Sequence, residues 1–110
     1  MKINIESTGL ELTPSIKTYI EKKLTPLGRI IKRFEAKGEI TAFVEVGRST
    51  KHHKHGDVFR ASIDIEMPGK KLFAENESPD LRTAIDMVKN KIKDDIQKFK
   101  EKTVDQSKKK

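Results

Sequence analysis

The sequence predicts an α+β fold: a two-layer sandwich in which a four-stranded, mainly antiparallel sheet carries both helices on one face. Two segments with apolar residues at spacings of three and four indicate amphipathic helices, and four segments with alternating apolar residues indicate strands. Their order along the chain is β-α-β-β-β-α. A length of 110 residues without an internal repeat fits one domain.

The N-terminal part of the chain predicts a strand followed by a long helix. Residues 2–7 alternate between apolar and polar side chains. Thr13 followed by Pro14 is a typical helix start, because a threonine hydroxyl accepts free amide hydrogens and proline is tolerated at the first helical position. The apolar stripe of this helix, Ile16 to Phe34, contains Pro26. Proline removes an amide donor, so we expect a kink or a restart of the helix at that point.

The middle of the chain predicts three strands joined by a polar loop and a tight turn. Residues 39–46 and 57–67 alternate, and the segment 48–56 between them is polar and cationic. Pro68-Gly69 favours a type II turn, since proline presets the first backbone angle and glycine accepts the positive φ of the second. A short strand, 71–75, follows the turn.

The C-terminal part predicts a second helix and a tail. Ser78-Pro79-Asp80 combines a capping residue, a proline and an acid near the positive end of the helix dipole. The apolar stripe of this helix runs from Leu81 to Phe99. From Thr103 the sequence loses its periodicity and ends in consecutive lysines. We therefore expect residues 1–102 to form the domain and residues 103–110 a disordered basic tail.

The composition points to a polyanionic partner. The chain has 24 Lys and Arg against 17 Asp and Glu, a net charge of +7, which attracts RNA, DNA or anionic lipid on charge alone. The absence of cysteine excludes a disulfide scaffold, a catalytic thiol and a thiolate zinc site. No apolar run approaches the roughly 20 residues that span a bilayer, and no signal peptide is visible, so we expect a cytoplasmic protein that does not use a membrane.

Cationic side chains flank both predicted helices at spacings of one or two turns. Such aligned cations match a phosphate backbone better than a small ligand, and we assign them to RNA binding. On the first helix they are Lys22, Arg29 and Arg33, and on one flank of the second they are Lys91, Lys98 and Lys102. The other flank of the second helix carries Arg82, Lys89, Lys93 and Lys100.

The polar loop contains all three histidines of the chain. A zinc site needs fixed geometry and a second shell of hydrogen bonds, which a loop crowded with lysines does not promise, so we expect no metal. We assign Lys51, His52, His53 and Lys54 to phosphate and base contact, with a merely solvated loop as the alternative. No nucleotide-binding glycine loop or nucleophile elbow is present, so we expect no enzyme, cofactor or small-molecule substrate.

Two phenylalanines, Phe43 and Phe73, should point away from the helices. Exposed aromatic rings on a sheet stack bases in the RNA-recognition motif. That fold requires the order β-α-β-β-α-β, whereas this chain ends on a helix. Cross-strand packing is therefore the preferred interpretation of both rings.

Four segments, in this order and spacing, together carry a resemblance to a known family: Ile3-Asn4-Ile5, Leu12 to Lys17, His55 to Ala61, and Asp80 to Asp86. From Lys2 to about Lys102 the chain resembles the short ribosome hibernation promoting factors, also described as ribosome-associated inhibitors or sigma-54 modulation proteins. The resemblance implies binding to the small ribosomal subunit and its rRNA, in the channel between head and body. There the protein would cover the mRNA and tRNA sites and keep idle ribosomes silent and intact.

The resemblance also implies rRNA contacts at Lys23, Arg29, Lys91 and Lys98. Three positions differ from the usual pattern: Pro26 and Asp94 stand where basic residues are common, and Arg82 replaces an aromatic residue. Long members of the family carry a C-terminal dimerisation domain. Because the present chain stops after the second helix, we expect a free monomer that does not dimerise ribosomes by itself.

Two other functions compete with this reading. A generic double-stranded-RNA-binding module is the first, because the final β-β-β-α portion has a similar topology. An RNA-processing enzyme is the second, and it would need an ordered cluster of acids or histidines that the sequence does not show.

Overall fold

The computed structural model describes residues 1–49 and 58–108, with side chains as far as residue 102. It confirms the predicted α+β class and the predicted order of the six main elements. The elements are β1 (Lys2–Thr8), α1 (Pro14–Ile30), a 3₁₀ helix (Lys32–Lys37), β2 (Thr41–Arg48), β3 (Phe59–Met67), β4 (Lys70–Ser78) and α2 (Leu81–Lys108).

The four strands form one sheet in the order β1-β2-β3-β4. β1 and β2 are parallel, because α1 crosses over between them, and the other two pairs are antiparallel. The predicted turn between β3 and β4 is confirmed by Gly69, whose φ of 79° is the positive value that a type II turn requires at this position.

One hydrophobic core lies between the sheet and the helices. Alternate residues of each strand point into it and the others point to the opposite face of the sheet, as strand geometry requires. Both helices place their apolar stripes on the same side of the sheet. The largest fully buried side chains are Ile20, Leu24, Leu27, Ile31, Ile40, Ile63, Ile65, Ile85, Ile92, Ile96, Val46 and Val88.

α1 runs through Pro26 as one helix, so the expected restart does not occur. The bond that proline removes belongs to the carbonyl of Lys22, and both residues face solvent, where water can satisfy that oxygen. Beside this gap, the Thr25 hydroxyl donates to the carbonyl oxygen of Glu21 at 2.7 Å. The helix ends instead at Ile30, and the remainder of the predicted stripe forms the 3₁₀ helix.

The residue that caps α2 also differs from the expectation. The Asp80 carboxylate accepts hydrogen bonds from the backbone N–H of Thr83 at 2.9 Å and from its hydroxyl at 2.7 Å. These bonds stabilise the ionised carboxylate and hold the pKa of Asp80 below its usual value. Ser78, predicted as the cap, accepts from the Asp80 N–H at 3.2 Å, and Pro79 precedes the helix. The capping acid is therefore Asp80.

The end of α2 lies beyond the predicted boundary at Lys102. The helix continues to Lys108, six residues past the predicted end of the domain. An existing helix propagates easily through residues that include neither glycine nor proline. Despite the length of α2, no helix within the described residues has the apolar character needed to cross a membrane.

Candidate nucleic-acid interface

α1 and α2 lie side by side and are joined by a polar cluster, which we call the helix junction: Ser15, Tyr19, Lys23, Arg82 and Asp86. The Tyr19 hydroxyl donates to Asp86 Oδ1 at 2.6 Å, and Lys23 Nζ lies 3.4 Å from the same oxygen. Arg82 Nη2 donates to Ser15 Oγ at 3.0 Å, and its guanidinium lies 5.3 Å from the centroid of the Tyr19 ring. These contacts fix the outer surfaces of the two helices relative to each other.

The Asp86 carboxylate raises the pKa of both of its partners. Its hydrogen bonds to Tyr19 and Lys23 are the main cause, because they favour the protonated form of each group. Lys23 therefore remains a cation, and a carboxylate compensates part of its charge. In the predicted contact with RNA, the Lys23 ammonium would have to bind a phosphate and the Asp86 carboxylate at the same time.

The outer surface of α1 carries two of its predicted RNA contacts. Lys22 and Arg29 are exposed and share one face of an uninterrupted helix, about 10 Å apart along its axis. Arg33 belongs to the 3₁₀ helix, where Nη2 donates to the carbonyl oxygen of Lys100 at 3.3 Å. Its guanidinium also lies 4.8 Å from the centroid of the Phe34 ring. Arg33 thus links the end of α1 to α2.

A second group of cations lies along the edge of α2 next to β4. We call it the α2–β4 flank: Lys70, Lys91, Lys98 and Lys102. All four side chains are exposed. Lys70, Lys98 and Lys102 line one groove together with the carboxylate of Asp95. In this groove the Lys70 ammonium lies 6.0 Å from the Phe99 ring centroid. Lys70 was not predicted as a contact from the sequence. The turn that precedes it could have indicated it, because this turn starts β4, the strand that lies beneath α2.

The opposite flank of α2 faces α1 and is less available to a ligand. Lys89, Lys93 and Lys100 are half-buried, and Arg82 belongs to the helix junction. By contrast, Lys91, Lys98 and Lys102 make no hydrogen bond or ion pair with any residue that the structure describes. The α2–β4 flank therefore offers its charges more freely to a polyanion.

The remaining predicted contacts lie in the loop between β2 and β3. Lys51, His52, His53 and Lys54 fall outside the described residues. Within residues 1–49 and 58–102, no three His, Cys, Asp or Glu side chains are grouped so that they could hold a metal ion.

The face of the sheet opposite the helices has the reverse charge, and we call it the acidic sheet face. Strand register brings an excess of carboxylates to it, and the Arg60 guanidinium there is already paired with Glu75. Since the chain as a whole carries +7, its cationic excess lies on the helices and loops. The helical side therefore suits RNA better. The acids of this face are Glu6, Glu45, Asp64, Glu66, Glu75 and Glu77, and the cations are Lys2, Arg60 and Lys71.

A family model described as "Sigma 54 modulation protein / S30EA ribosomal protein" matches residues 3–104. The chain belongs to this family. It is 32% identical over 102 residues to a ribosome hibernation promotion factor of Lactococcus lactis subsp. cremoris, and 29% identical over 102 residues to one of Bacillus subtilis. These alignments cover 91% and 93% of this chain but 50% of each relative, so the chain spans about half the length of the curated relatives it matches.

Solved structures agree with this assignment. The crystal structure of the Thermus thermophilus Protein Y N-terminal domain is similar with a TM-score of 0.72 and 31% identity, over 90% of this chain and 99% of that domain. A ribosomal subunit interface protein from Coxiella burnetii has the same fold, with a TM-score of 0.67 at 22% identity over 91% of this chain and 98% of that one. The family suggested by the sequence segments is confirmed.

Proposed function

We propose that the chain is a non-catalytic ribosome-binding factor that occupies the mRNA and tRNA channel of the small subunit, inhibits translation and preserves idle ribosomes. One observation carries the proposal: the family match extends over residues 3–104 and includes relatives named ribosome hibernation promotion factors. The name of the Coxiella protein of the same fold, a ribosomal subunit interface protein, is in keeping with it.

The charge distribution supplies a physical basis for this binding. The exposed cations of α1 and of the α2–β4 flank can pair with phosphates of small-subunit rRNA, releasing condensed counterions. The helix junction holds the two helices in a fixed arrangement, so the cations meet the RNA as a preorganised set.

In this mechanism the protein acts by occupancy and carries out no reaction. While it lies in the channel, mRNA and tRNA are excluded because the same volume is filled and the same phosphates are neutralised. Release restores the site unchanged. Inhibition should therefore be competitive with both natural ligands and should disappear when salt weakens the phosphate contacts.

A generic double-stranded-RNA-binding module is the second candidate. The observation in its favour is the β2-β3-β4-α2 portion, an antiparallel sheet with a helix packed on one face. Such a module recognises the shape of an RNA duplex, so it would bind isolated hairpins as well as ribosomes.

Co-sedimentation with purified small and large ribosomal subunits at increasing salt tests both candidates. We expect the protein to pellet with small subunits, to be displaced by mRNA together with tRNA, and to inhibit translation in vitro. Equal affinity for an isolated RNA hairpin would support the generic module instead. Pelleting with large subunits alone would contradict ribosomal channel binding.

A further inference from the structure

A single row of residues crosses the acidic sheet face from β2 to β4: Phe43, Asp64 and Phe73. The strand register places Asp64 directly opposite Phe43 on one side and Phe73 on the other. Directly opposed residues have Cβ atoms about 4.5–5.5 Å apart, so the carboxylate stands between two aromatic rings. The rings are exposed, Phe43 at 41% and Phe73 at 56% of their full surface.

The Asp64 carboxylate has an oxygen without a hydrogen-bond partner. Oδ1 is inaccessible to solvent, and no described residue donates to it. A buried acceptor left unpaired destabilises the folded chain, and such groups call for a specific explanation. Phe43 and Phe73 flank this carboxylate and keep about half of their surface in solvent, so their exposed parts are available to a ligand. A cation bound at the other, accessible oxygen of this carboxylate would offset part of the cost of the unpaired one and would cover both rings.

The chemistry of this row is that of a site for a cation. The accessible oxygen of Asp64, Oδ2, can accept a hydrogen bond from a cationic donor, and the faces of aromatic rings attract cations through their quadrupoles. The groove over the row has a volume of about 210 Å³, which is enough for one long side chain. Guanidinium is favoured over ammonium, because it is planar, weakly hydrated and stacks on aromatic faces.

The charge of the surrounding face decides the class of partner. The excess of carboxylates repels RNA and anionic lipid and attracts a basic polypeptide. We propose that the acidic sheet face docks a basic segment of a partner protein, with one arginine side chain seated between Phe43 and Phe73 on the carboxylate of Asp64. This inference does not depend on ribosome binding, since it uses the opposite side of the molecule.

Fluorescence anisotropy with the labelled peptide Gly-Arg-Gly-Arg-Gly-Arg-Gly tests the proposal, because an extended chain presents alternate side chains on one side. We expect saturable binding to the wild-type chain and weaker binding of the lysine version. Asp64→Asn should raise the Kd at least tenfold. The matched control is Glu66→Gln on the same strand and face. It removes the same charge from an exposed carboxylate that pairs with Lys71 at 3.2 Å, and should change the Kd less than threefold.

Three further measurements can overturn the proposal. Equal losses in Asp64→Asn and Glu66→Gln would show attraction by charge alone. Weaker binding of single-stranded RNA by a Phe43→Leu, Phe73→Leu double variant would show that the rings stack bases. Sedimentation of the wild-type chain as a dimer that this double variant dissociates would identify a second copy as the occupant.

Thermal melting separates binding from a structural role of the carboxylate. Asp64→Asn should keep or raise the melting temperature, because it removes a charge from an unpaired position. A lower melting temperature would show that Asp64 supports the fold, and the proposal would fail.

Discussion

Reversing two charges on the α2–β4 flank is the sharpest test of the proposed RNA face. Lys91→Glu combined with Lys98→Glu changes two exposed side chains seven positions apart, about 10 Å along α2. Neither side chain belongs to the core, which α2 reaches through Ile85, Val88, Ile92 and Ile96. We expect the variant to fold and to lose its binding to the small subunit.

The size of the effect follows from the contacts that are lost. Loss of two charge-assisted contacts, worth about 1.5 kcal/mol each, should raise the Kd about a hundredfold. The salt dependence should also weaken, since each lost phosphate contact lowers the slope of log K against log salt by about 0.7–0.9. The new glutamates lie near Asp94 and Asp95, and each like-charge pair costs about 0.2–0.5 kcal/mol of helix stability. A Lys91→Gln, Lys98→Gln version avoids these pairs.

The assay is co-sedimentation at several salt concentrations, with circular dichroism to verify the fold. Lys89→Glu with Lys93→Glu is the control, because it changes the charge equally on the half-buried flank that faces α1. We expect this control to retain most of its binding. Equal losses in both double variants would mean that net charge alone governs affinity, and the assignment of the RNA face to the α2–β4 flank would be wrong.

Three further changes test the account of the fold. Gly47→Ala should lower the free energy of unfolding by about 1–3 kcal/mol in urea, because the new Cβ would lie 2.7 Å from the carbonyl oxygen of Thr8; unchanged stability would contradict this close strand contact. Asp80→Ala should lower the melting temperature at pH 7. Since the folded pKa of Asp80 is lowered, its stabilisation is complete above about pH 4 and is lost as pH falls through the folded pKa, so the difference from wild type should vanish in acid. Removing residues 103–110 should leave the melting temperature within a few degrees, because the described core ends at Phe99; a large fall would assign a packing role to the end of α2.

The elements of the fold could be predicted from local patterns because those patterns report burial. Alternation along β2 and β3 and the stripe along α2 identify the sides that face the core, and the structure buries those sides. The errors lie where a local rule was applied without its surroundings. Pro26 is tolerated because its missing bond faces solvent, and Asp80 caps α2 because the chain turns at Ser78 and Pro79.

The cationic flanks could also be predicted, since helical spacing alone places Lys91, Lys98 and Lys102 together. The helix junction could not be predicted, because Tyr19 and Asp86 are 67 positions apart and meet only when both helices pack on the sheet. The surroundings of Asp64 could not be predicted either, because they depend on the register of three strands. Between Phe43 and Phe73, Asp64 acquires a role that no periodicity in the sequence indicates.

The separation of charge between the two faces makes the two proposals independently testable on one molecule. A chain with net charge +7 that nevertheless gathers carboxylates on one sheet face has a strong field across its thickness, which orients the helices toward a polyanion and the sheet away from it. Lys91→Glu with Lys98→Glu should therefore remove subunit binding and leave the arginine peptide bound, whereas Asp64→Asn should do the reverse. If each variant impaired both ligands, the faces would not act separately, and a single electrostatic effect would account for both.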